Sequence, residues 1–309
     1  MIVVCGEALI DMIQVGDGTQ RAAPGGGPFN TARALARLGV PTAFLGRLSN
    51  DVFGRELADL LVADGASLEY ASFGSESTTV ALADVDDEGL AGYRFLVQGT
   101  SAPNLLPEML PSRLDAAVNA IHVGTLGLVL EPMASTLTDL VDVEKDGRVI
   151  MLDPNIRLGL APDDEYRDRL AHVISESSIV KASDSDLAWL YPGLDHEQAA
   201  DRILEDGVCL VVVTLGARGA FGAHRGFRLH VDAVPVEVVD TIGAGDAFGA
   251  ALLAWLHDHQ AMRPDLTLEE GELKSALDFA CLAAALTCAR AGAEPPWKWE
   301  MEAGTEVGV

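Results

Sequence analysis

The chain has 309 residues, 49% of them hydrophobic and 22% charged, which is enough for a large core that needs no disulfide or structural metal. Its formal net charge of −26 argues against nucleic acid or an anionic membrane surface as a partner. The four cysteines lack metal or redox spacing, and no apolar run reaches the roughly 18 residues that span a bilayer. With no signal-peptide pattern either, the sequence favours a reducing, cytoplasmic environment.

Short apolar strand segments alternate with helical segments along most of the chain. The predicted strands are Ile2–Cys5, Thr42–Leu45, Ala120–Val123, Val149–Leu152, Ile179–Val180 and Cys209–Thr214. The predicted helices include Gly54–Ala63, Met133–Val143, Glu165–Ser175 and Glu197–Glu205. This alternation predicts a parallel sheet with helices on both faces, in which ligands bind beyond the carboxyl ends of the strands.

The first candidate site along the chain is the glycine-rich stretch 25–27, which leads into a helix. Pro28 suits a first helical position and Gly39 suits a helix end. Apolar residues recur between them at helical spacing, so one face of this helix is predicted to pack in the core. Asn30 lies in the first turn and can point back over the glycine loop.

Two segments depart from the strand–helix rhythm. Residues 12–23 are short and polar, and residues 76–96 alternate apolar with polar side chains on either side of a turn-like stretch at 86–89. Such alternation predicts a small antiparallel sheet that stands off the main body.

A helix is predicted to begin after the strand that ends near residue 180, where Ser183 or Asp184 can act as its N-cap.

The most informative stretch is Asp240-Thr241-Ile242-Gly243-Ala244-Gly245-Asp246, which precedes an apolar helical run. Glycines allow the backbone to turn its N–H groups toward a ligand, and the start of a helix favours an anion. Asp246 is thus placed beside an anion site. A carboxylate there can take a proton from a hydroxyl while a phosphoryl group arrives.

These motifs resemble the two signatures of the ribokinase-like (PfkB) sugar kinase family. The first signature is matched by Gly26, Asn30 and the helix that stops at Gly39, and the second by the glycine turn before Asp246. Further similar segments are residues 6–11, 153–157, 213–220 and 291–296, of which 153–157 and 291–296 resemble the fructokinase-like branch. One departure is Ser183 with Asp186, where the family usually shows Asn-x-x-Glu near the metal and phosphates. Asp186 still offers oxygen ligands to a hard cation, usually through water, and this role and helix capping can hold at once.

The resemblance implies one ribokinase-like domain over residues 1–309. The expected fold is a three-layer α/β/α sandwich with a mostly parallel central sheet and a small β-sheet lid. Residues of about 12–24 and 76–98 would form the lid, which would also pair two copies into a homodimer. The implied ligands are a small sugar, ATP, Mg²⁺ and a monovalent cation such as K⁺.

The resemblance also implies a role for each matched residue. Asp246 would be the catalytic base, and Gly243, Ala244 and Gly245 would form the anion hole. The sugar would be held by Asp11, Gly26, Asn30, Phe95 and Arg157. ATP would contact Ser183, Thr214, Gly216 and Gly219, while Asp186 would face Mg²⁺ through water and Asp240 the monovalent cation.

Three functions stay open at this point. Phosphorylation of a primary hydroxyl of fructose is the leading expectation. A 2-keto-3-deoxygluconate kinase would need cationic and tyrosyl groups, for which Tyr93, Arg94 and Arg157 are available. A catalytically silent sugar-binding protein on the same fold is the alternative from another class, and the intact glycine turn before Asp246 speaks against it.

Overall fold

The computed structural model describes residues 1–15, 19–85 and 91–307. The strands are β1 (Ile2–Cys5), β2 (Leu9–Val15), β3 (Thr19–Gly25), β4 (Thr42–Leu45), β5 (Arg47–Ser49), β6 (Ser72–Gly74), β7 (Val80–Val85), β8 (Ala91–Leu96), β9 (Ala120–Gly124), β10 (Val149–Asp153), β11 (Ile179–Ser183), β12 (Leu210–Thr214), β13 (Ala220–His224) and β14 (Phe227–Val231). The helices are α1 (Gly27–Arg37), α2 (Val52–Asp64), α3 (Met133–Glu144), α4 (Asp163–Ser175), α5 (Asp184–Leu190), α6 (His196–Glu205), α7 (Ala244–Asp258), α8 (Glu270–Cys288) and α9 (Lys298–Val307).

The predicted parallel sheet is confirmed. Its eight strands run in the order β14-β13-β12-β11-β10-β9-β1-β4. Six neighbouring strands of this sheet are parallel, namely β4, β1, β9, β10, β11 and β12. At one edge, β13 and β14 add antiparallel pairs. The parallel strands are almost entirely buried, which explains why they read as continuous apolar runs instead of alternating ones.

Helices cover both faces of this sheet, so the three-layer architecture is also confirmed. Side chains of α1, α2, α7 and α8 pack with one face, where Val4 and Met151 lie. Side chains of α3, α4 and α6 pack with the opposite face, where Ile121 and Leu152 lie. The carboxyl ends of the strands are left open between the two layers, and the loops that follow them build the site.

Capping interactions set the helix boundaries more sharply than apolar spacing does. Gly39 follows α1 with φ +83°, in agreement with its predicted position at a helix end. Helix α2 begins at Val52, two residues before the predicted Gly54, because the Asp51 carboxylate accepts a hydrogen bond from the Gly54 amide at 2.8 Å.

The second, smaller sheet that the alternation predicted is present, with the strand order β3-β2-β7-β8. The expected antiparallel pairing is confirmed for β2 with β3 and for β7 with β8, whereas β2 pairs with β7 in parallel, so the sheet as a whole is mixed. Parallel pairing requires a long crossover connection, which β3, α1, β4, β5, α2 and β6 provide between these two strands. The turn expected at residues 86–89 lies outside the described residues.

Several short elements were not expected from the sequence. They are the two-stranded sheet β5-β6, the edge strand β14 and the helix α9. Among the described residues, no helix is long and apolar enough to cross a membrane.

Candidate active site

Loops at the carboxyl ends of the central strands and the first turn of α7 enclose a cavity of about 280 Å³. Most of the candidate residues lie around it. They are Asp11, Gly26, Asn30, Phe95, Arg157, Ser183, Asp186, Thr214, Gly243, Gly245 and Asp246. Residues far apart in the chain therefore meet in one site, as the strand-end rule predicts.

Asp246 lies at the centre of the site and is buried. The Asn30 side-chain amide donates a hydrogen bond of 2.8 Å to its Oδ2, across 216 positions of sequence. Asn30 therefore does more than face the glycine loop, because it fixes the orientation of the carboxylate. The other oxygen, Oδ1, faces Gly27, since a β-carbon added there would lie 3.4 Å from it.

The protein environment moves Asp246 toward the proton affinity that a general base needs. Burial raises its pKa to about 6, while the hydrogen bond from Asn30 opposes that rise. Neighbouring charges contribute in both directions, with Asp153 raising the pKa and Lys181 and Arg157 lowering it. A carboxylate with a pKa near 6 is ionised at neutral pH and still accepts a proton readily.

The glycine turn before α7 has the geometry of an anion site. Gly243 is the N-cap with φ +77°, a conformation that favours glycine. The amide of Ala244 donates to the carbonyl of Thr241, and the amide of Ala247 donates to the carbonyl of Gly243. The amides of Gly245 and Asp246 lie between them in the first turn, where a helix provides no intrahelical acceptor. They point to the same end of α7 as the Asp246 carboxylate, where the helix dipole is positive.

The glycine loop before α1 is shaped by close backbone approach. A β-carbon on Gly25 would lie 2.0 Å from Oδ2 of Asp11, and one on Gly26 would lie 2.8 Å from the carbonyl oxygen of Glu7. Glycine at these positions leaves room for the carboxylate of Asp11 to reach the cavity. Burial raises the pKa of Asp11 to about 6, and Arg157 opposes that rise.

A second cavity, of about 520 Å³, adjoins the first. Gly216, Gly219 and Ala244 line it, together with apolar side chains from residues 233–238 and from α8. Thr214, Thr241 and Gly245 line both cavities, so the first turn of α7 lies where they meet. A mostly apolar pocket beside an anion site suits a nucleotide, with its base in the pocket and its phosphates at the helix start.

Ser183 and Asp186 form a capping box at the start of α5. The Ser183 hydroxyl accepts from the Asp186 amide, and Asp186 Oδ2 accepts from the Ser183 amide at 2.9 Å. Asp186 Oδ1 accepts from the amide of Ile156 at 2.9 Å. With a further bond from the Ser183 hydroxyl, the Asp186 carboxylate accepts three hydrogen bonds and keeps one lone-pair direction. That remaining direction fits a water-mediated contact to a hard cation.

Asp240 directly precedes the glycine turn of residues 241–245, which we call the anion turn, and lines neither cavity. Its carboxylate accepts from the amides of Ile242 at 3.1 Å and Gly292 at 2.9 Å. The carbonyl of Cys288 accepts from the amides of Val239 and Asp240. These bonds hold the segment before α7 against the segment after α8, the region where a cation was expected.

Three buried ionisable residues in the cavity wall received no role from the sequence. They are Glu7, Asp153 and Lys181. Glu7 accepts hydrogen bonds from the amides of Gly27 and Gly127, and burial raises its pKa to about 8. Glu7 and Asp153 belong to segments 6–11 and 153–157, whose resemblance to the family could have identified them. Lys181 lies two residues before Ser183, the start of the segment that was expected to lie near the cation.

Backbone strain also marks the cavity wall. Thr125 has φ +52° and directly follows the end of β9. Asn155 has φ +36° and lies two residues after the end of β10. Non-glycine residues rarely adopt such angles, and they tend to do so at functional sites. Both side chains approach Gly27, where an added β-carbon would lie 2.7 Å from Thr125 Oγ1.

The pfkB family carbohydrate kinases match residues 1–300. The chain belongs to this family. Among relatives of this pfkB kinase, the fructokinase of Rhizobium leguminosarum bv. trifolii is 38% identical over 285 residues, covering 90% of this chain and 87% of the relative. The fructokinase of Klebsiella pneumoniae is 34% identical over 277 residues, which are 86% and 90% of the two chains.

Solved structures agree with this assignment. The fructokinase of Vibrio cholerae O395 in its fructose-, ADP- and calcium-bound form has a TM-score of 0.82 at 27% identity, over 94% of each chain. The fructokinase of Xylella fastidiosa with bound ATP has a TM-score of 0.91 at 25% identity, over 100% of this chain and 99% of its own. This pfkB kinase is therefore a phosphotransferase of the sugar kinase type.

Proposed function

We propose that this kinase is a fructokinase, which transfers the γ-phosphoryl group of ATP to a primary hydroxyl of fructose. The observation that carries the proposal is the place of Asp246. Its carboxylate lies in the wall of the small polar cavity at the start of α7, directly after Gly245, which lines both this cavity and the larger apolar one. Fructokinases from two bacteria, 38% and 34% identical, support fructose as the acceptor.

In this mechanism Asp246 accepts the proton of the attacking hydroxyl. The deprotonating oxygen forms a bond to the γ-phosphorus, the bond between that phosphorus and the β–γ bridging oxygen breaks, and ADP leaves. The amides of residues 243, 245 and 246 would face the negative charge on the transferred group, whereas the amide of Ala244 already donates to the carbonyl of Thr241. Oriented donors of this kind contribute about 10²–10³-fold to turnover, and a positioned base about 10²–10⁴-fold.

The small cavity would hold the sugar through the residues that line it. Asp11 and Asn30 offer hydroxyl-binding groups, and Gly26 brings the backbone close to the ligand. Phe95 enters the cavity wall from β8, and Arg157 from the loop after β10. We infer that the small sheet, with the segments 12–24 and 76–98, acts as a lid, since closure over the sugar would exclude water.

The larger cavity would hold ATP. Thr214, Gly216 and Gly219 line it on the side of β12, and Ser183 lies in the wall of the adjoining cavity. Mg²⁺ would lie near Asp186 through water and would neutralise phosphate charge. A monovalent cation such as K⁺ would lie near Asp240 and order the anion turn.

The same proposal covers assembly and location. We infer a cytoplasmic homodimer that pairs through the small sheets of two copies. Leu96, on β8 of the small sheet, is exposed. Sedimentation velocity of the purified protein and of the variant Leu96→Glu tests the pairing. A monomer in both would contradict it.

The deciding experiment measures ADP release with ATP and Mg²⁺ across fructose, ribose, 2-keto-3-deoxygluconate, tagatose, glucose and adenosine. We expect fructose to give the largest rate above the background without sugar. Preference for 2-keto-3-deoxygluconate would instead support the acid-sugar alternative, in which Arg157 meets a carboxylate. Binding of a sugar with no ADP release would support the silent sugar-binding alternative and would overturn the proposal.

A further inference from the structure

A buried ion pair lies directly under the anion turn. Lys181 on β11 and Asp153 at the end of β10 are on adjacent parallel strands, and Lys181 Nζ is 2.6 Å from Asp153 Oδ2. Only 5% and 3% of the two side chains are exposed. Taking two charges out of water is unfavourable, and a well-packed apolar pair would often be as stable. Stability alone therefore does not explain why this ion pair is buried here.

The position of Lys181 against helix α7 suggests a functional explanation. Lys181 runs along the first two turns of α7, since an added β-carbon would lie 3.2 Å from its Nζ at Gly245 and 3.9 Å from its Cδ at Gly249. Gly245 is one of the two glycines of the anion turn, and Lys181 lines the same cavity as Asp246. The ammonium group thus lies on the inner side of the turn whose amides face the cavity.

Lys181 keeps its charge in this position. Burial has the largest effect and lowers the pKa of its ammonium group, but Asp153, Asp246 and Asp186 together raise that pKa above its ordinary value. Asp153 offsets part of this charge, but Lys181 is the nearer member of the pair to the turn, since its Nζ and no atom of Asp153 lies within 4 Å of a β-carbon added at Gly245. In a site of low dielectric, such a charge acts more strongly on a nearby anion than it would in water. It adds to the partial positive charge that the helix start provides.

We propose that Lys181, held by Asp153 against the first turn of α7, is a fixed cation behind the anion turn that stabilises the γ-phosphoryl group of ATP before and during its transfer. Lys181 gives up no proton and forms no bond in this role. Asp153 is its positioning residue, because it fixes the ammonium group where the turn needs it. The proposal rests on the proposed function, since it assumes that the turn receives the γ-phosphoryl group.

The test compares the affinities for ATP and ADP, each with Mg²⁺, in Lys181→Met and in the charge-preserving Lys181→Arg. Only ATP carries the γ-phosphoryl group, so a fixed cation near that group predicts a selective loss. In Lys181→Met we expect ATP affinity to fall about tenfold or more, ADP affinity to change less than about threefold, and turnover to fall about 100-fold. Lys181→Arg should recover part of the ATP affinity.

A purely structural role predicts a different pattern. ATP and ADP affinities would then fall together with the melting temperature, or neither would change, and either result overturns the proposal. Because Lys181→Met leaves Asp153 buried and unpaired, the double variant Lys181→Met/Asp153→Asn provides a neutral pair of similar size. It should show the same selective loss for ATP, and a wild-type ratio of ATP to ADP affinity in this variant would also overturn the proposal.

The proposed function can fail independently of this inference. ATP and ADP affinities are measured without any sugar, so the fixed-cation role is testable even if fructose is not the acceptor. Failure on the sugar panel with a selective ATP loss in Lys181→Met would reject fructose and keep the role of Lys181.

Discussion

Asp246 depends on one neighbour, Asn30, for its orientation and on burial for its proton affinity. Replacement by asparagine keeps the size of the side chain and its contact with Asn30 while removing the proton acceptor. We expect Asp246→Asn to lower kcat at least about 100-fold and to leave sugar binding nearly unchanged. Steady-state kinetics and calorimetric sugar titration check this, with Asp232→Asn at an exposed position as the control. Turnover near that of wild type in Asp246→Asn would reject the role of the base.

The protonation of Asp246 also predicts the pH dependence of the reaction. Charged groups face it from several elements, namely Glu7, Asp153, Lys181 and Arg157. The base works only when ionised, and burial raises its pKa to about 6. The rate should therefore be full above this value and fall as the pH drops through about 6. A kcat/KM profile between pH 4.5 and 8.5 measures this decrease, and a rate that stays constant down to pH 4.5, as an aspartate with its ordinary pKa of 3.8 would largely allow, would contradict the assignment.

The difference between the residues that sequence revealed and those it missed has a physical cause. Gly243 and Asp246 lie within one turn, so their chemistry is visible in a short contiguous motif. Lys181 and Asp153 acquire their role by pairing across two strands, 28 positions apart. The sequence shows a lysine at the end of an apolar strand, which by itself does not tell whether the ammonium group lies in solvent or beneath a helix.

At the scale of elements, the turn into α7 is the part whose shape decides the chemistry. Gly243 has φ +77°, and a β-carbon there would lie 2.6 Å from Cβ of Ala293. Alanine at this position must push apart the two segments that Asp240 holds together. We expect Gly243→Ala to lower kcat/KM for ATP at least about tenfold, because a displacement of the donors weakens their hold on the phosphoryl group.

A matched variant separates this effect from general backbone strain. Gly226, in the turn between β13 and β14, has φ +105°, and an added β-carbon would meet nothing within 4 Å. Gly226→Ala should reduce stability by about 1 kcal/mol and leave kcat/KM unchanged. Kinetics and urea unfolding of both variants check the pair. Equal kinetic losses would show that strain alone explains Gly243→Ala.

Elements were predictable where local patterns decide them. β1 and β4 begin and end at the predicted residues because a fully buried strand is an unbroken apolar run. The parallel pairing of β2 with β7 could not be read from alternation, since alternation is the same in parallel and antiparallel pairs. Strand order in the small sheet depends on contacts between segments about 70 positions apart.

At the scale of the whole molecule, both ends of the chain are needed for one site. Asn30 from α1 meets Asp246 from α7, and the segment after α8 supports the anion turn. A buried cluster of charges links these parts. Arg33 and Arg37 of α1 both pair with Asp64 at the end of α2, at 2.6 and 2.9 Å, and both also reach Glu294.

The two carboxylates of this cluster differ in burial, and that difference predicts unequal effects on stability. The Asp64 side chain is 5% exposed, whereas that of Glu294 is 46% exposed. Asp64→Asn leaves two buried guanidinium groups with less compensation and should lower the free energy of unfolding by about 3–5 kcal/mol. Glu294→Gln removes a carboxylate that water already screens and should lower it by about 1 kcal/mol or less. Urea unfolding at neutral pH measures both, and equal losses would mean that burial does not control the strength of this cluster.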